Sequence, residues 1–294
     1  MPDSVLFLGC GDLGGRTALR LLAAGSAVQA LRRRPEALPE GVSGVAFDLM
    51  SKAGRPVGLD RADTVVFMLS AGRADEARYR AVYVDCLQRA LTFPAVADAK
   101  RLVFVSSTSV YGQRDGQWVD EDSVTAPERY NGRVLLKAES VARSHPGAVI
   151  VRLAGLYGPG RERNIRWARE RRPCVYDPPQ FTNRIHIDDA AALLAHLIGL
   201  EQPEACYIGV DCEPAPQHEV MAWLAAAQGL EPPPALKSTE VSGPGSKRCS
   251  NARARQSGFT YRYPTYREGY SMVLQTRPSR PEDDGSPTPG ATPV

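Results

Sequence analysis

Near the N-terminus, Gly9-Cys10-Gly11-Asp12-Leu13-Gly14 follows the pattern G-x-G-x-x-G. An apolar run, Val5 to Leu8, precedes it, and apolar residues at helical spacing follow. In that strand-to-helix context the three glycines have separate tasks. Gly9 makes the tight turn, Gly11 lets the backbone approach a diphosphate, and Gly14 lets the helix pack closely on the strand. Asp12 and Leu13 open the helix, where unpaired N–H groups and the positive end of the dipole attract an anion. A glycine turn with no ligand is the plain alternative. About 20 residues further on, where an NAD site usually offers a carboxylate to the ribose hydroxyls, the chain reads Leu31-Arg32-Arg33-Arg34. Guanidinium groups at Arg32 and Arg33 suit a 2′-phosphate, and no acid is present to repel it. NADP is therefore expected, with NAD as second choice; a solvated basic turn is the alternative. Asp48, after a third strand, is expected near the adenine edge. Leu69, Ser70 and Ala71, after a fourth, are expected beside the inner ribose and phosphate.

Alternating strands and helices must position these residues. Strands are predicted at Ser4–Leu8, Ala27–Leu31, Val42–Phe47, Asp63–Leu69, Arg101–Ser106 and Ala148–Leu153. Helices are predicted at Leu13–Ala24, Ala74–Phe93 and Arg129–Ser144. Such alternation implies βαβ units and an α/β fold with a doubly wound parallel sheet, which takes its ligands at the carboxyl ends of the strands. After residue 155 the pattern loosens. Short strands are expected near Cys174–Tyr176 and Ala205–Val210, and helices at Asp188–Leu200 and Gln217–Gly229. The Pro-, Gly- and Ser-rich stretch Glu231–Lys247 reads as a long loop. Residues 277–294 carry five prolines and almost nothing apolar, so a disordered tail is expected there.

The chain has 294 residues, with 36 Lys plus Arg against 33 Asp plus Glu. A net charge of +3 is too weak a bias to imply nucleic acid. No apolar run reaches the roughly 18 residues of a membrane span, and the N-terminus lacks the basic region of a signal peptide. The six cysteines are scattered, with no C-x-x-C and no paired His spacing, so no metal site is read. Together these point to a cytoplasmic protein with a small-molecule substrate and no membrane or nucleic-acid partner. The sequence leaves room for a homodimer without requiring one.

Further motifs are Phe104-Val105-Ser106-Ser107-Thr108-Ser109-Val110-Tyr111-Gly112, Arg152-Leu153-Ala154-Gly155-Leu156-Tyr157-Gly158-Pro159-Gly160 and Asn183-Arg184-Ile185-His186-Ile187-Asp188-Asp189. With the glycine loop, over roughly residues 4 to 273, the chain resembles an extended or atypical short-chain dehydrogenase/reductase of the NAD-dependent epimerase/dehydratase family. The resemblance implies a Rossmann domain over residues 1–276, with a substrate lobe mainly from 156–182 and 205–276. It implies a Ser or Thr after the fifth strand that binds the substrate oxygen, here Ser107. It also implies an acid/base pair, Tyr-x-x-x-Lys, on the next helix, in which the Lys lowers the Tyr pKa and holds the nicotinamide ribose.

That helix departs from the family. It reads Tyr130-Asn131-Gly132-Arg133-Val134-Leu135-Leu136-Lys137-Ala138-Glu139. On the family pattern, Asn131 falls at the Tyr position and Leu135 at the Lys position. Starting from Tyr130 instead puts Val134 at the Lys position, so the pair is broken either way. Lys137 lies seven residues beyond Tyr130, about 10 Å along the axis where the paired spacing gives about 6 Å. Ser107, Tyr130 and Asn131 are the candidate catalytic residues. His186 reads as a packing residue or an alternative acid/base, and Asp115, Glu121 and Asp122 as surface charges or lid groups. The six arginines of Arg161–Arg172 suit either a substrate diphosphate or a solvated helix face. Two functions follow. One is an NADP(H)-dependent oxidoreductase or epimerase acting on a carbonyl or secondary alcohol, with a nucleotide sugar among its substrates. The other is a non-catalytic, NADP(H)-sensing regulatory protein.

Overall fold

Runs such as Val5-Leu6-Phe7-Leu8 and Val65-Val66-Phe67 are apolar at every position, and such strands are stable only where both faces of their sheet are covered. The computed structural model describes residues 1–51, 54–72, 75–236 and 246–276, and it covers both faces. The chain opens with β1 (Ser4–Leu8), α1 (Asp12–Ala23), β2 (Ala27–Arg32), β3 (Ser43–Ala46) and β4 (Thr64–Phe67). A helical run follows, made of α2 (Glu76–Arg80), a π-helical turn (Ala81–Asp85) and α3 (Cys86–Ala90), then α4 (Pro94–Ala97) and β5 (Arg101–Ser107). Next come β6 (Gln117–Val119), α5 (Tyr130–Ala142), β7 (Ala148–Leu153), β8 (Gly155–Tyr157), α6 (Arg163–Arg169), β9 (Cys174–Val175), β10 (Phe181–Thr182), β11 (Arg184–His186), α7 (Ile187–Gly199) and β12 (Cys206–Gly209). The last elements are β13 (Ala215–Pro216), α8 (Gln217–Ala226), β14 (Ala235–Leu236), β15 (Lys247–Cys249), α9 (Ala252–Gln256) and α10 (Tyr266–Gln275).

Seven strands form one parallel sheet in the order β12-β7-β5-β4-β1-β2-β3. This is the doubly wound α/β fold expected. From β1 the chain builds β2 and β3 to one side and β4, β5, β7 and β12 to the other. The direction therefore reverses between β1 and β4, and the crevice at their carboxyl ends is where such sheets take ligands. Alternation assigns the faces. Leu6, Leu8, Phe67 and Phe104 point into a core closed by Val84 and Leu87 of the π–α3 run and by Leu135 and Ala138 of α5. Val5, Phe7, Val66 and Val103 point the other way, under Leu21 of α1 and Leu194 of α7. A third core gathers Tyr157, Ile165, Met221, Leu224, Tyr266 and Tyr270 beside the sheet.

The stretch read as one loop, Glu231–Lys247, is partly strand. Ala235 and Leu236 pair with Cys174 and Val175, and Lys247 opens a strand parallel to Gln117–Val119. Two- and three-residue strands leave no readable period, which is why these, β8, β11 and β13 escaped detection. Residues 237–245 of that stretch, Ala74 of the predicted helix and the tail 277–294 lie outside the described residues.

Candidate functional site

The glycine turn is built as its spacing requires. Gly9 has φ +87°, a conformation that L side chains rarely adopt, and its N–H donates to the Leu31 carbonyl (3.0 Å). A Cβ there would lie 2.7 Å from Leu69 Cδ2 and 3.3 Å from the Leu69 backbone, so the exits of β1, β2 and β4 meet at this point. At Gly14 a Cβ would lie 2.8 Å from Met68 Sδ and 3.2 Å from Cys10 Sγ. At Gly11 it would meet nothing within 4 Å. Gly11 is the N-cap of α1 and supplies no side-chain acceptor to the first-turn N–H groups. A cradle closed beneath and open above, with unsatisfied donors at its rim, fits a dinucleotide diphosphate.

Asp12 has more to do than open the helix. Its Oδ1 accepts from Arg16 Nε (2.8 Å) and its Oδ2 from Arg161 Nε (3.2 Å), while Arg16 Nη1 donates to Asp188 (2.6 Å). Partial burial pushes the Asp12 carboxyl up, but the hydrogen bonds and charges of Arg16 and Arg161 prevail and hold it below its usual range. Arg32 bends back over the turn, donating through Nη1 to the carbonyls of Cys10 (3.0 Å) and Ala37 (3.3 Å). Arg33 is exposed. Asp48 Oδ1 accepts from the Met50 N–H (3.0 Å), and Ser70 Oγ from the Gly72 N–H (3.3 Å). Ala71 follows, half-buried.

Ser107 ends β5, and its Oγ accepts from the Ser109 N–H (3.2 Å), capping a 3₁₀ turn over Thr108–Val110. That role uses the oxygen as an acceptor and leaves the hydroxyl proton to donate. The start of α5 presses on this turn. A Cβ at Gly132 would lie 2.4 Å from the Ser109 carbonyl oxygen. Tyr130 and Asn131 therefore stand beside the β5 exit, and the Tyr130 ring meets Tyr79 edge-on at 5.8 Å between centroids. Leu135 is 2% exposed and Val134 7%, both inside the core. Lys137 is exposed. One turn on, Glu139 is buried against Arg152 in a two-pronged pair (Nε–Oε1 3.0 Å, Nη2–Oε2 2.7 Å). Ser106 Oγ also donates to Glu139 (2.7 Å), and Arg152 Nη1 donates to the Tyr111 hydroxyl (2.7 Å).

One sequence expectation changes, that of Glu121, while for His186 the structure favours the packing reading. His186 is fully buried, and its Nδ1 accepts from the Asp188 N–H (3.2 Å) as the N-cap of α7. Burial pulls its pKa down to about 4, which favours the neutral imidazole at pH 7. Glu121 is not a surface charge. It is buried, and its Oε1 accepts from the Ile208 N–H (2.8 Å). The Arg161–Arg172 arginines are largely engaged within the chain. Arg161 holds Asp12, Arg163 and Arg172 flank the Trp167 ring, Arg166 and Arg172 meet Glu170, and Arg169 meets Gln228. Among the described residues no three His, Cys, Asp or Glu side chains gather as metal ligands, and no helix is long and apolar enough to cross a membrane.

Sequence reading overlooked Lys247 and gave Asn183 no role beyond opening a motif. Lys247 is 6% exposed, and its Nζ donates to the Tyr111 carbonyl (3.1 Å). Asn183 stitches the Lys247 backbone in place, donating to its carbonyl (2.9 Å) and accepting from the Cys249 N–H (2.8 Å). A lysine at the end of an apparent loop gives no local sign of burial; only the pairing of β15 with β6 creates it.

No family model matches the chain. Protein YeeZ of Escherichia coli (strain K12) is 33% identical over 210 residues, covering 69% of this chain and 72% of that protein. Among solved structures, one from Methylobacillus flagellatus, assigned as an NAD-dependent epimerase/dehydratase, is 36% identical with a TM-score of 0.76, over 93% of this chain and 98% of that one. MoeE5, solved in complex with UDP-glucose and NAD, is 25% identical with a TM-score of 0.76, over 93% and 97%.

Proposed function

Because the chain belongs to the NAD-dependent epimerase/dehydratase family of short-chain dehydrogenase/reductase proteins, we propose that it binds NAD(P)(H), preferring NADP(H), and oxidises or reduces a carbonyl or secondary alcohol carbon of a small molecule such as a nucleotide sugar. The glycine turn carries this reading. Its cradle is closed where Gly9 and Gly14 touch Leu69 and Met68 and open where Gly11 faces outward. The Asp12 and Leu13 N–H groups receive the diphosphate, Arg32 and Arg33 face the 2′-phosphate, Asp48 borders the adenine, and Leu69, Ser70 and Ala71 line the inner ribose. When bound, the nicotinamide supplies or accepts a hydride. Ser107 orients the substrate oxygen as a hydrogen-bond donor, with Tyr130 and Asn131 beside the reacting carbon. Residues 156–182, 205–236 and 246–276 form the substrate-facing lobe.

Arg33→Ala tests the cofactor preference without touching the turn, which Arg32 helps to hold through the Cys10 carbonyl. A charged hydrogen bond to phosphate contributes about 1.5–3 kcal/mol. The variant should therefore narrow the NADP(H)-over-NAD(H) affinity ratio about tenfold or more by calorimetry. Equal affinity for the two in the unmodified protein refutes the preference.

Leu135 favours the second reading, an NADP(H) sensor, because it buries an apolar side chain where the family places its lysine. Tyr130→Phe separates the two. An acid at Tyr130 contributes about 10²–10⁴-fold, so an enzyme using it loses at least a hundredfold in turnover. A Tyr130 that only borders the cofactor leaves NADPH affinity and any residual turnover within a few-fold.

A further inference from the structure

Lys247 is a buried cation. Among the described residues no carboxylate pairs with it, and its one hydrogen bond goes to a neutral carbonyl, that of Tyr111. Taking an ammonium out of water without a counter-charge is costly, and folds rarely keep such a group without a use for it. The position of this lysine supplies a use. Asn183, which fixes its backbone, accepts through its own carbonyl from the Gly155 N–H just past β7 (3.3 Å). Tyr111 lies just past β5, at the end of the 3₁₀ turn that Ser107 caps from the other side. At about 2 Å per residue, a three-residue turn separates Ser107 from Tyr111 by a span that one small substrate can bridge. The Ser109 hydroxyl on the same turn is buried and has no hydrogen-bond partner among the described residues. Donors thus gather over the adjacent carboxyl ends of β5 and β7, the edge on which the crevice of such a sheet opens.

We propose that Lys247 is the proton donor of the cleft, acting in place of the Tyr-Lys pair that α5 lacks. The proposal rests on the dinucleotide reading above. As the carbonyl carbon receives a hydride, the C=O π pair moves onto oxygen, and that oxygen takes a proton from Nζ. The N–H bonding pair stays on nitrogen, and the neutral amine regains a proton from water. In the oxidative direction the neutral amine removes the hydroxyl proton. Burial pulls the Lys247 pKa down, which brings the neutral amine closer to physiological pH. Cys249 on its own strand acts on it as a titratable group, and Tyr111, whose carbonyl it meets, turns its hydroxyl to Arg152.

The chain has five lysines, so lysine labelled with ¹³C at Cε gives five signals, and Lys247→Arg assigns one by its loss. The Lys247 signal should titrate below that of the exposed Lys100, and its midpoint should move when NADPH saturates the protein. Lys247→Met should keep NADPH affinity by calorimetry within about threefold. It should lose at least a hundredfold in NADPH-dependent reduction across a panel of ketones and keto-sugars, the size of a missing general acid. The basic limb of the pH–rate profile should disappear with it. A Lys247 signal indifferent to NADPH that calorimetry shows to be bound overturns the proposal and makes the lysine a prop for the turn. So does a Lys247→Arg protein that keeps the wild-type pH profile. If the unmodified chain binds neither NADPH nor NADH, the dinucleotide reading itself fails.

Discussion

Glu139→Ala is expected to cost about 3–5 kcal/mol of stability, the range for removing one partner of a buried ion pair. The side chains of Arg152 and Glu139 are 5% and 2% exposed and meet through two hydrogen bonds. Without the carboxylate, the guanidinium keeps the Tyr111 hydroxyl and a long contact to the Glu121 carbonyl (3.4 Å), both neutral. Ser106 Oγ loses its acceptor in the same step. Replacing both partners by apolar residues, as in Glu139→Leu with Arg152→Met, should cost less than the sum of the single changes, because no uncompensated charge remains. Urea midpoints at pH 7 for the two single variants and the double variant make the comparison. A Glu139→Ala loss below about 1 kcal/mol would falsify the account. The pair also matters to the site. It ties α5, which carries Tyr130 and Asn131, to β5 and β7 directly beneath Ser107.

The parts of this arrangement that could be read from sequence are local. Gly9, Gly11 and Gly14 lie within one strand–turn–helix, so spacing alone suggests a task for each; the structure packs Gly9 on Leu69 and Gly14 on Met68 and leaves the space above Gly11 open. Buried parallel strands announce themselves as continuous apolar runs, and Leu8, Phe67 and Phe104 sit where those runs place them. Partnerships between distant residues could not be read. Asp12 and Arg161 are 149 positions apart and belong to stretches with separate readings, one a cofactor helix and the other a basic cluster. Only the fold shows that they neutralise each other. Glu121 looked like a surface carboxylate because it sits between Asp120 and Asp122. Its burial follows from the Ile208 N–H of a strand 87 residues away. Lys247 escaped for the same reason. What distinguishes it is that, among the described residues, only a neutral carbonyl meets its charge, which no one-dimensional pattern records.

Asp211→Asn is expected to stabilise the protein at and above neutral pH and to do little below about pH 4. Asp211 is fully buried. Its Oδ1 accepts from the Glu213 N–H (3.2 Å), and its Oδ2 has no hydrogen-bond partner. Burial pushes its pKa up to about 7, opposed by the charge of Arg184 and reinforced by Glu213 and Asp189. Below about pH 4, the ordinary range of an aspartate, folded and unfolded chains both hold the proton and the group contributes no slope. Between about 4 and 7 the folded chain keeps a proton that the unfolded chain has released. Stability therefore falls as pH rises through this window and levels off above the folded pKa. A shift of about three units sets a ceiling near 4 kcal/mol on the loss, at 1.36 kcal/mol per unit. Asparagine carries no charge to desolvate and keeps an oxygen for the Glu213 N–H, so its contribution should not depend on pH. Asp189 and Glu121, also pushed up by burial, slope in the same direction and remain in both proteins. The informative quantity is thus the difference between the two melting curves. That difference should be smallest near pH 4, grow in favour of the variant through pH 7 and then level off, with each kcal/mol moving Tm by about 2–4 °C in chains of 150–250 residues. A difference that does not change from pH 5 to pH 9 would mean that Asp211 is ionised throughout, with its charge met by Arg184 and by buried water at Oδ2.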